Sequence, residues 1–578
     1  MAPKPEESQL RFAPIVYAFT GNLLLYACLP PLGLSWLAWL TPCCWLPLIA
    51  SPGLRNAKTN PRRVYFGLYV THVLCWLALL QGMRLAHWTT YFGWAALSFY
   101  LGIYLPLFVF TARTIHHQLK IPLAYAAATG WVCVEWIRGY VISGFSMGSL
   151  SHSQTGQLWL IQISDLGGGF AVSFILVVGA GLLYQINSFL QTRKESNRSC
   201  RPIALEVFCF AVLLGGTYVY GVARLEAFNS PIAQDQPAVS VGLIQGVTYT
   251  EFELPYKKFM EKEQEKQRTY NDQSIRALGA ETGLDLLVWP ESMYPIGPLL
   301  VTGNGAEHLH VPAQPDQVEE DQESVRQWAS RVQSAQRQQH SELLNYLNGN
   351  QDESGLGKAM LIGGTSAVDL TKAHTPSYNT AVLLSENGEV LDLYHKNHLV
   401  MFGEYIPLGE VFPALYGLLP ISALAPGTSD IRFEIDGVQF SPNICFESTV
   451  PHRIRKMMNT VDANQRRPDV MLNLTNDGWF WGSSMLDLHL RSNVMRAVEM
   501  RRPNLVAANT GISAWISTTG EILSSVEKKE AGFVIAKVGR SVTDSFYLNN
   551  GDLFAILCGL IALVSLGKSL VSQTRKPT

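Results

Sequence analysis

The stretch "SPNICFES", Ser441 to Ser448, places one cysteine and a carboxylate two residues apart, with the nearest other thiol more than a hundred residues away. What Cys445 can do depends on the side of a membrane on which it lies. The chain has 578 residues, 48% of them hydrophobic and 16% charged, with a formal net charge of −2. Apolar runs of about twenty residues, enough to cross a roughly 30 Å hydrocarbon layer, crowd into the first 222 positions. They fall at about 13–30, 31–50, 64–82, 92–112, 120–142, 168–190 and 202–221, with an eighth at about 552–570. The first lacks a small-residue cleavage site and runs straight into the next, unlike a signal peptide.

Basic residues fix the orientation. They fall on alternate loops: Arg55, Lys58, Arg62 and Arg63, then Arg113 and Lys120, then Arg193, Lys194, Arg198 and Arg201. The loops between carry only Arg84, or, over 143–167, no Lys or Arg at all. Lys4 and Arg11 at the start and Lys568, Arg575 and Lys576 at the end join the basic side, so both termini are expected in the cytoplasm. The segment between spans seven and eight, residues 223–550, is then extracytoplasmic. Of nine cysteines, seven (Cys28, Cys43, Cys44, Cys75, Cys133, Cys209 and Cys558) fall in expected spans, Cys200 in a cytoplasmic loop, and Cys445 alone outside. Exported domains pair their cysteines, so a single one suggests reactivity, although a buried, inert thiol is the plainer alternative.

Within 238–540, β-rich runs such as "AVSVGLIQG", "LDLLVWPES", "KAMLIGGTSA", "GVQFSPNICFE" and "PDVMLNLTND" alternate with amphipathic segments such as "LDLHLRSNVMRAVEMRR". That alternation predicts a layered domain of strands and helices. "NTAVLLSENGEVLDLYHK" reads as a hairpin with a two-residue turn at Asn387-Gly388. Residues 303–357, rich in Gln, Glu and Ser, read as a polar insert: a solvated helix between mobile linkers. No basic patch suggests nucleic acid and no glycine-rich phosphate loop occurs, so neither nucleotide, metal nor other cofactor is expected.

Three strand ends carry chemistry: Glu291 in "LVWPES", Lys396 in "YHKNHLVMFGEYIPLGE" and Cys445 in "SPNICFES". Singly each has a bland reading, as loop carboxylate, surface lysine or buried thiol. Together, in the order Glu, Lys, Cys, they resemble the carbon–nitrogen hydrolase (nitrilase) superfamily, which implies an αββα sandwich. With eight spans, the resemblance narrows to the apolipoprotein N-acyltransferase family. "VEWIRGYVISGF" looks like that family's fifth span and following loop, and "LNLTNDGWF" and "RAVEMRRPNLVAANTGISA" like the segments after its cysteine. Phe446 departs from the tyrosine usual there, and Met401 from the proline usual before "FGEY". The whole chain is thus expected to be α+β: an eight-helix transmembrane bundle (1–222 and 551–578) carrying the nitrilase-like domain.

The resemblance implies Cys445 as nucleophile, Glu291 as proton acceptor and Lys396 as oxyanion stabiliser. The chemistry is sound on general grounds. A free thiol near pKa 8.5 is mostly protonated at neutral pH and needs a base, and a fixed cation steadies the charge on an attacked carbonyl. Supporting roles fall to Glu404, Glu447 and the backbone N–H near Phe446, and substrate contacts to Asn379, Asn476, Trp479 and Arg502. The apolar stretches "YPIGPLL" after Glu291 and "VFPALYGLLPISAL" after Glu410 are expected either as arms dipping into the bilayer or as packing. The expected partners are a phospholipid acyl donor, the diacylglyceryl-cysteine N-terminus of an apolipoprotein and the lipid bilayer of a bacterial inner membrane. A membrane-bound amidase would share the three residues, and a transporter would rest on Glu135 and Arg138.

Overall fold

The computed structural model describes residues 13–51, 60–192, 201–228, 238–303, 308–310, 322–352, 358–372, 374–407, 409, 411–412, 416, 423–541 and 543–574. Strand β1 (Ala238–Gln245) shows how the polar segment folds. Alternate side chains of a strand point to opposite faces. Val239, Val241 and Leu243 therefore enter one core, while Ile244 enters another. Around β1 a seven-stranded sheet is built from β2 (Leu286–Trp289), β3 (Leu299–Val301), β4 (Met360–Asp369), β5 (Ser377–Leu384), β6 (Val390–His395) and β13 (Gly532–Gly539), in the order β13-β1-β2-β4-β5-β6 with β3 beside β4. A second sheet runs β12-β11-β10-β9-β8-β7, from β7 (Phe433–Ile435), β8 (Val438–Ile444), β9 (Val470–Asn476), β10 (Asn504–Asn509), β11 (Ala514–Ile516) and β12 (Ile522–Ser525).

The sheets face each other across a core that joins Val241, Val288 and Ile362 of the first to Phe440, Leu472 and Val506 of the second. Helices cover the outer faces. Tyr256–Ala280 and Gln322–Asp352 lay Tyr270, Ala277, Leu343, Leu344 and Leu347 on the first sheet. Pro451–Met458 and Met485–Met500 lay Ile454, Met457, Val494 and Val498 on the second. Each fully buried aliphatic side chain in these layers contributes about 1.5–3 kcal/mol of transfer free energy. The result is an αββα sandwich.

Two groups of parallel strands decide where chemistry can sit. β1, β2 and β4 run parallel, as do β8, β9 and β10. Their carboxyl ends deliver Glu291, Cys445, Asn476 and Asn509 to one edge of the sandwich, with Asn476 paired directly with Asn509. Gly364 permits part of this crowding: a Cβ there would lie 2.4 Å from the Cα of Glu291.

In the apolar part, helices form over Pro14–Cys28, Pro61–Leu79, Thr90–Gly102, Tyr104–Leu119, Leu123–Arg138, Gly169–Thr192, Arg201–Phe228 and Leu553–Thr574. Four stretches among the described residues are long and apolar enough to cross a membrane: Thr90–Leu119, Gly169–Gln191, Arg201–Phe228 and Leu553–Ser572. Small residues let these helices close on one another, as membrane packing requires; a Cβ on Gly181 would lie 2.5 Å from Ala124. The expected span 31–50 is not one helix. It breaks into Ser35–Trp39, Thr41–Cys44 and Leu46–Ala50, where Pro42 and Pro47 remove backbone donors and restart the winding. Arg55, Lys58, Arg193, Lys194, Arg198 and Cys200, with Lys4 and Arg11 at one end and Arg575 and Lys576 at the other, lie outside the described residues.

The sandwich is fastened to the helices by buried polar contacts. Arg501, fully buried, donates to Asp165 Oδ2 through Nε at 3.0 Å and Nη2 at 2.8 Å, and to Gln162 Oε1 at 2.6 Å. Asp165 also accepts from the Tyr220 hydroxyl at 2.7 Å and pairs with Arg224 at 3.1 Å. Glu499 accepts the first N–H of the helix Gly169–Thr192 at 2.9 Å.

Two local expectations are corrected. The polar insert is a helix anchored near both ends rather than solvated throughout: Gln322–Asp352 buries Val325 and Ala329 near its start and Leu343, Leu344 and Leu347 near its end. Its flanks at 304–307, 311–321 and 353–357 lie outside the described residues. The β5–β6 hairpin does not use a two-residue turn. Of Asn387 and Gly388 only Gly388 has positive φ, at +86°, and Ser385 N–H donates to Glu389 O, which is a type I turn closed by a glycine bulge.

Candidate active site

Glu291 follows Trp289-Pro290 at the end of β2, and its carboxylate is held from two sides. Asn379 Nδ2 on β5 donates to Oε1 at 2.7 Å, and the backbone N–H of Asn476 donates to Oε2 at 2.8 Å. Lys396, just past β6, is 1% exposed. Its ammonium lies 2.9 Å from Glu404 Oε1 and 3.6 Å from Glu291 Oε1. Asn379 Nδ2 also donates to Glu404 Oε1 at 2.7 Å, so the two carboxylates share one amide and one ammonium. Glu404 is oriented in turn by the Val400 N–H, which donates to Oε2 at 2.8 Å.

Cys445 stands where β8 turns into a short 3₁₀ segment, with φ at +53°. A left-handed residue other than glycine is strained and persists where its surroundings enforce it. Glu447 does much of that enforcement. It is fully buried and accepts from the N–H groups of Ile444 at 2.8 Å and of Asn397 and His398 at 3.0 Å, and from the Tyr394 hydroxyl. One carboxylate thus ties the turn bearing Cys445 to the turn bearing Lys396. Phe446 packs against Phe145 of the helical half and against His398, with ring centroids 6.3 and 6.1 Å away.

The electrostatics follow from burial among charges. Burial pushes the Cys445 thiol well above its ordinary pKa and the Glu291 charge adds to this, while Lys396 and a hydrogen bond to Thr475 oppose it. For Lys396, burial acts to depress the pKa, but Glu404, Glu291 and Cys445 outweigh it and hold the ammonium charged. Glu447 is raised by burial, against the pull of Arg453, the Ile444 N–H and Lys396. The resting site is therefore a thiol beside a fixed ammonium and a hydrogen-bonded carboxylate. A cysteine in that state reacts only when its proton is taken as it attacks.

The structure brings together Glu291, Lys396, Cys445, Glu404, Glu447, Phe446, Asn379 and Asn476. The Asn476 side chain is engaged within the site, its Oδ1 accepting from Asn509 Nδ2 at 2.8 Å. Trp479 is half-buried at the rim and lies 5.3 Å from the ring of Phe252. Arg502 is not at the site. It precedes β10, at the opposite end of the strands from Asn476, and its guanidinium donates to Pro468 O, Thr543 O and Asp544 Oδ1 at 2.8, 2.6 and 2.6 Å. "YPIGPLL" packs rather than projects, with Tyr294 and Leu299 buried. Of the second apolar stretch, Val411 and Phe412 are exposed, and Glu410, 413–415 and 417–422 lie outside the described residues. Glu135 and Arg138 serve the loop beside their helix: Glu135 accepts the Leu150 N–H at 2.9 Å and Arg138 donates to Ser149 Oγ at 2.8 Å.

Comparison with known proteins covers both halves. Residues 264–547 match the family described as Carbon-nitrogen hydrolase, and 21–182 match the Apolipoprotein N-acyltransferase N-terminal domain. An apolipoprotein N-acyltransferase of Rhodopirellula baltica is 32% identical over 91% of this chain and 92% of its own. The chain belongs to the apolipoprotein N-acyltransferase family. A family member from Geobacter metallireducens is 27% identical over 94% of this chain and 92% of its own. Among solved structures, an amidase of the nitrilase superfamily from Nesterenkonia AN1 is 18% identical over 56% of this chain and 96% of its own, with a TM-score of 0.32.

Sequence reading missed the residues that reach Cys445 from behind. Thr475 and Asp477 stand in the quoted "LNLTNDGWF", and His489 stands in "LDLHLRS". A single histidine on a helix facing an apolar sheet reads as core, and only the tertiary fold places it against the turn that bears Cys445.

Proposed function

We propose that this protein is a membrane N-acyltransferase that moves an acyl chain from a phospholipid, through a thioester on Cys445, to the α-amine of a diacylglyceryl-cysteine at an apolipoprotein N-terminus. The observation that carries the reading is the Lys396 ammonium held between Glu291 and Glu404, acting on the Cys445 thiol at the end of a sandwich fastened to apolar helices. Glu291 takes the thiol proton as sulfur attacks the ester carbonyl. Lys396 steadies the oxyanion, a stabilisation of about 3–4 kcal/mol for one well-placed donor. The C–O bond then breaks, and the leaving alkoxide receives the proton from Glu291, releasing lysophospholipid. In the second half the amine attacks the thioester, Glu291 takes its proton, the C–S bond breaks and the thiolate is reprotonated. Positioned proton transfer of this kind is worth about 10²–10⁴-fold.

The substrates come from what the relatives are named for, and the membrane half favours them over water-soluble amides, since one helix would suffice as an anchor. The same reading takes the chain as eight spans, with 223–550 on the extracytoplasmic side of a bacterial inner membrane and both termini cytoplasmic. The test is to incubate the purified protein in vesicles with acyl-labelled phospholipid, then chase with a diacylglyceryl-cysteine peptide. A hydroxylamine-cleavable label on Cys445, absent in Cys445→Ala and passed to the peptide, is the expected result. Label persisting in Cys445→Ala, or release of ammonia from simple amides without acyl transfer to the peptide, would overturn it.

A further inference from the structure

Behind the nucleophile lies a buried polar chain. His489, on the helix Met485–Met500, is 5% exposed. Its Nδ1 faces Asp477 Oδ1 at 3.2 Å, and its Nε2 faces the carbonyl oxygen of Cys445 at 3.2 Å and Ser448 Oγ at 2.9 Å. The Ser448 hydroxyl donates to the same Cys445 carbonyl, which Asn473 Nδ2 also reaches. A carboxylate and a carbonyl only accept, so the contacts to Asp477 and to the Cys445 carbonyl are both hydrogen bonds when both ring nitrogens donate, and the ring that satisfies the two together is the imidazolium. Asp477 also accepts from Thr475 Oγ1 at 3.0 Å. The titratable groups that act on His489 are Asp477 and, more weakly, Glu291, while Glu291, Lys396 and Asp477 act on Cys445.

We propose that His489 is a positioning residue for Cys445: it grips the carbonyl of the strained nucleophile and offsets the charge of Asp477 beside the thiol. The first role holds φ of Cys445 in the left-handed region by fixing the peptide that follows it. The second keeps a nearby carboxylate from opposing thiolate formation. The direction of the His489 shift agrees: burial acts to lower its pKa, but Asp477 and the Cys445 carbonyl outweigh burial and raise it. This inference rests on Cys445 being the nucleophile, but its test reads the thiol and not acyl transfer.

The experiment follows the rate of alkylation of Cys445 by iodoacetamide against pH in the full-length protein, read by peptide mass spectrometry so that the other thiols do not contribute. In His489→Gln, which keeps a donor but loses the cation, the rate at neutral pH is expected to fall about tenfold and the curve to move up by about one pH unit, the equivalence of one pKa unit. Adding Asp477→Asn is expected to bring the curve back, and His489→Lys to leave it near the wild-type position. A residue that served only packing would not respond to the charge at position 477. A His489→Gln curve that stays in place, or one that Asp477→Asn fails to restore, overturns the proposal. If His489→Gln does not fold, the His489→Gln/Asp477→Asn protein, with no charge left uncompensated, decides alone. Its curve must lie at the wild-type position, and a displacement of one unit or more overturns the proposal.

Discussion

Replacing Lys396 by methionine keeps most of the length of the side chain and removes its charge, and the structure sets the size of the effect. Glu291 Oε1 and Glu404 Oε1 each lie 2.7 Å from Asn379 Nδ2, so they are no farther apart than about 5.4 Å, twice that distance. Two unit charges about 5 Å apart repel by about 3 kcal/mol at an effective dielectric of 20. The ammonium now cancels that repulsion. Lys396→Met is therefore expected to lose about 3 kcal/mol of stability in denaturant unfolding followed in detergent. It is also expected to lose about 10²–10³-fold in acyl transfer, as for removal of one oxyanion donor. The two losses separate in the double variant. Lys396→Met/Glu404→Gln removes one of the repelling charges, so most of the stability should return while transfer stays low. A single variant as stable as wild type, or a double variant no more stable than the single, would refute the view that Lys396 holds two carboxylates together.

Two further outcomes test the frame around the site. Asp165→Asn leaves Arg501 buried without its counter-charge and is expected to cost about 3–5 kcal/mol in the same unfolding assay; a loss under about 1 kcal/mol would contradict a clamp between sandwich and helices. Leu344→Ala, in the helix that crosses the expected polar insert, is expected to cost about 2–5 kcal/mol, whereas a solvated helix would lose almost nothing.

The legibility of the sequence was uneven for physical reasons. Strands such as Ala238–Gln245 and Val470–Asn476 are buried over almost their whole length and carry enough Val, Leu, Ile and Met to read as strands despite Ser240, Gln245, Asn473, Thr475 and Asn476. Short edge strands did not stand out: β12, with all four residues exposed, and β7, with three residues, carry too little pattern. Glu291, Lys396 and Cys445 each read blandly alone and were picked out only by their order, through the family resemblance; the structure places Lys396 3.6 Å from Glu291 and Cys445 at the same edge of the sandwich. Arg502 misled because an arginine near a site motif looks available, and only the fold shows its guanidinium enclosed by Pro468, Thr543 and Asp544. The helix Gln322–Asp352 was misjudged on composition, since Val325 and Ala329 near one end and Leu343, Leu344 and Leu347 near the other are buried even where Gln and Glu dominate.

Phe446 meets Phe145, and the Ser146 hydroxyl donates to the carbonyl of Thr449. The few residues just downstream of Cys445 are thus moulded by a loop that belongs to the helical half. Sheets and helical half cannot be treated as interchangeable modules. An excised sandwich, or one grafted onto a foreign anchor, would keep its hydrophobic filling and still lose the template that aims its sulfur.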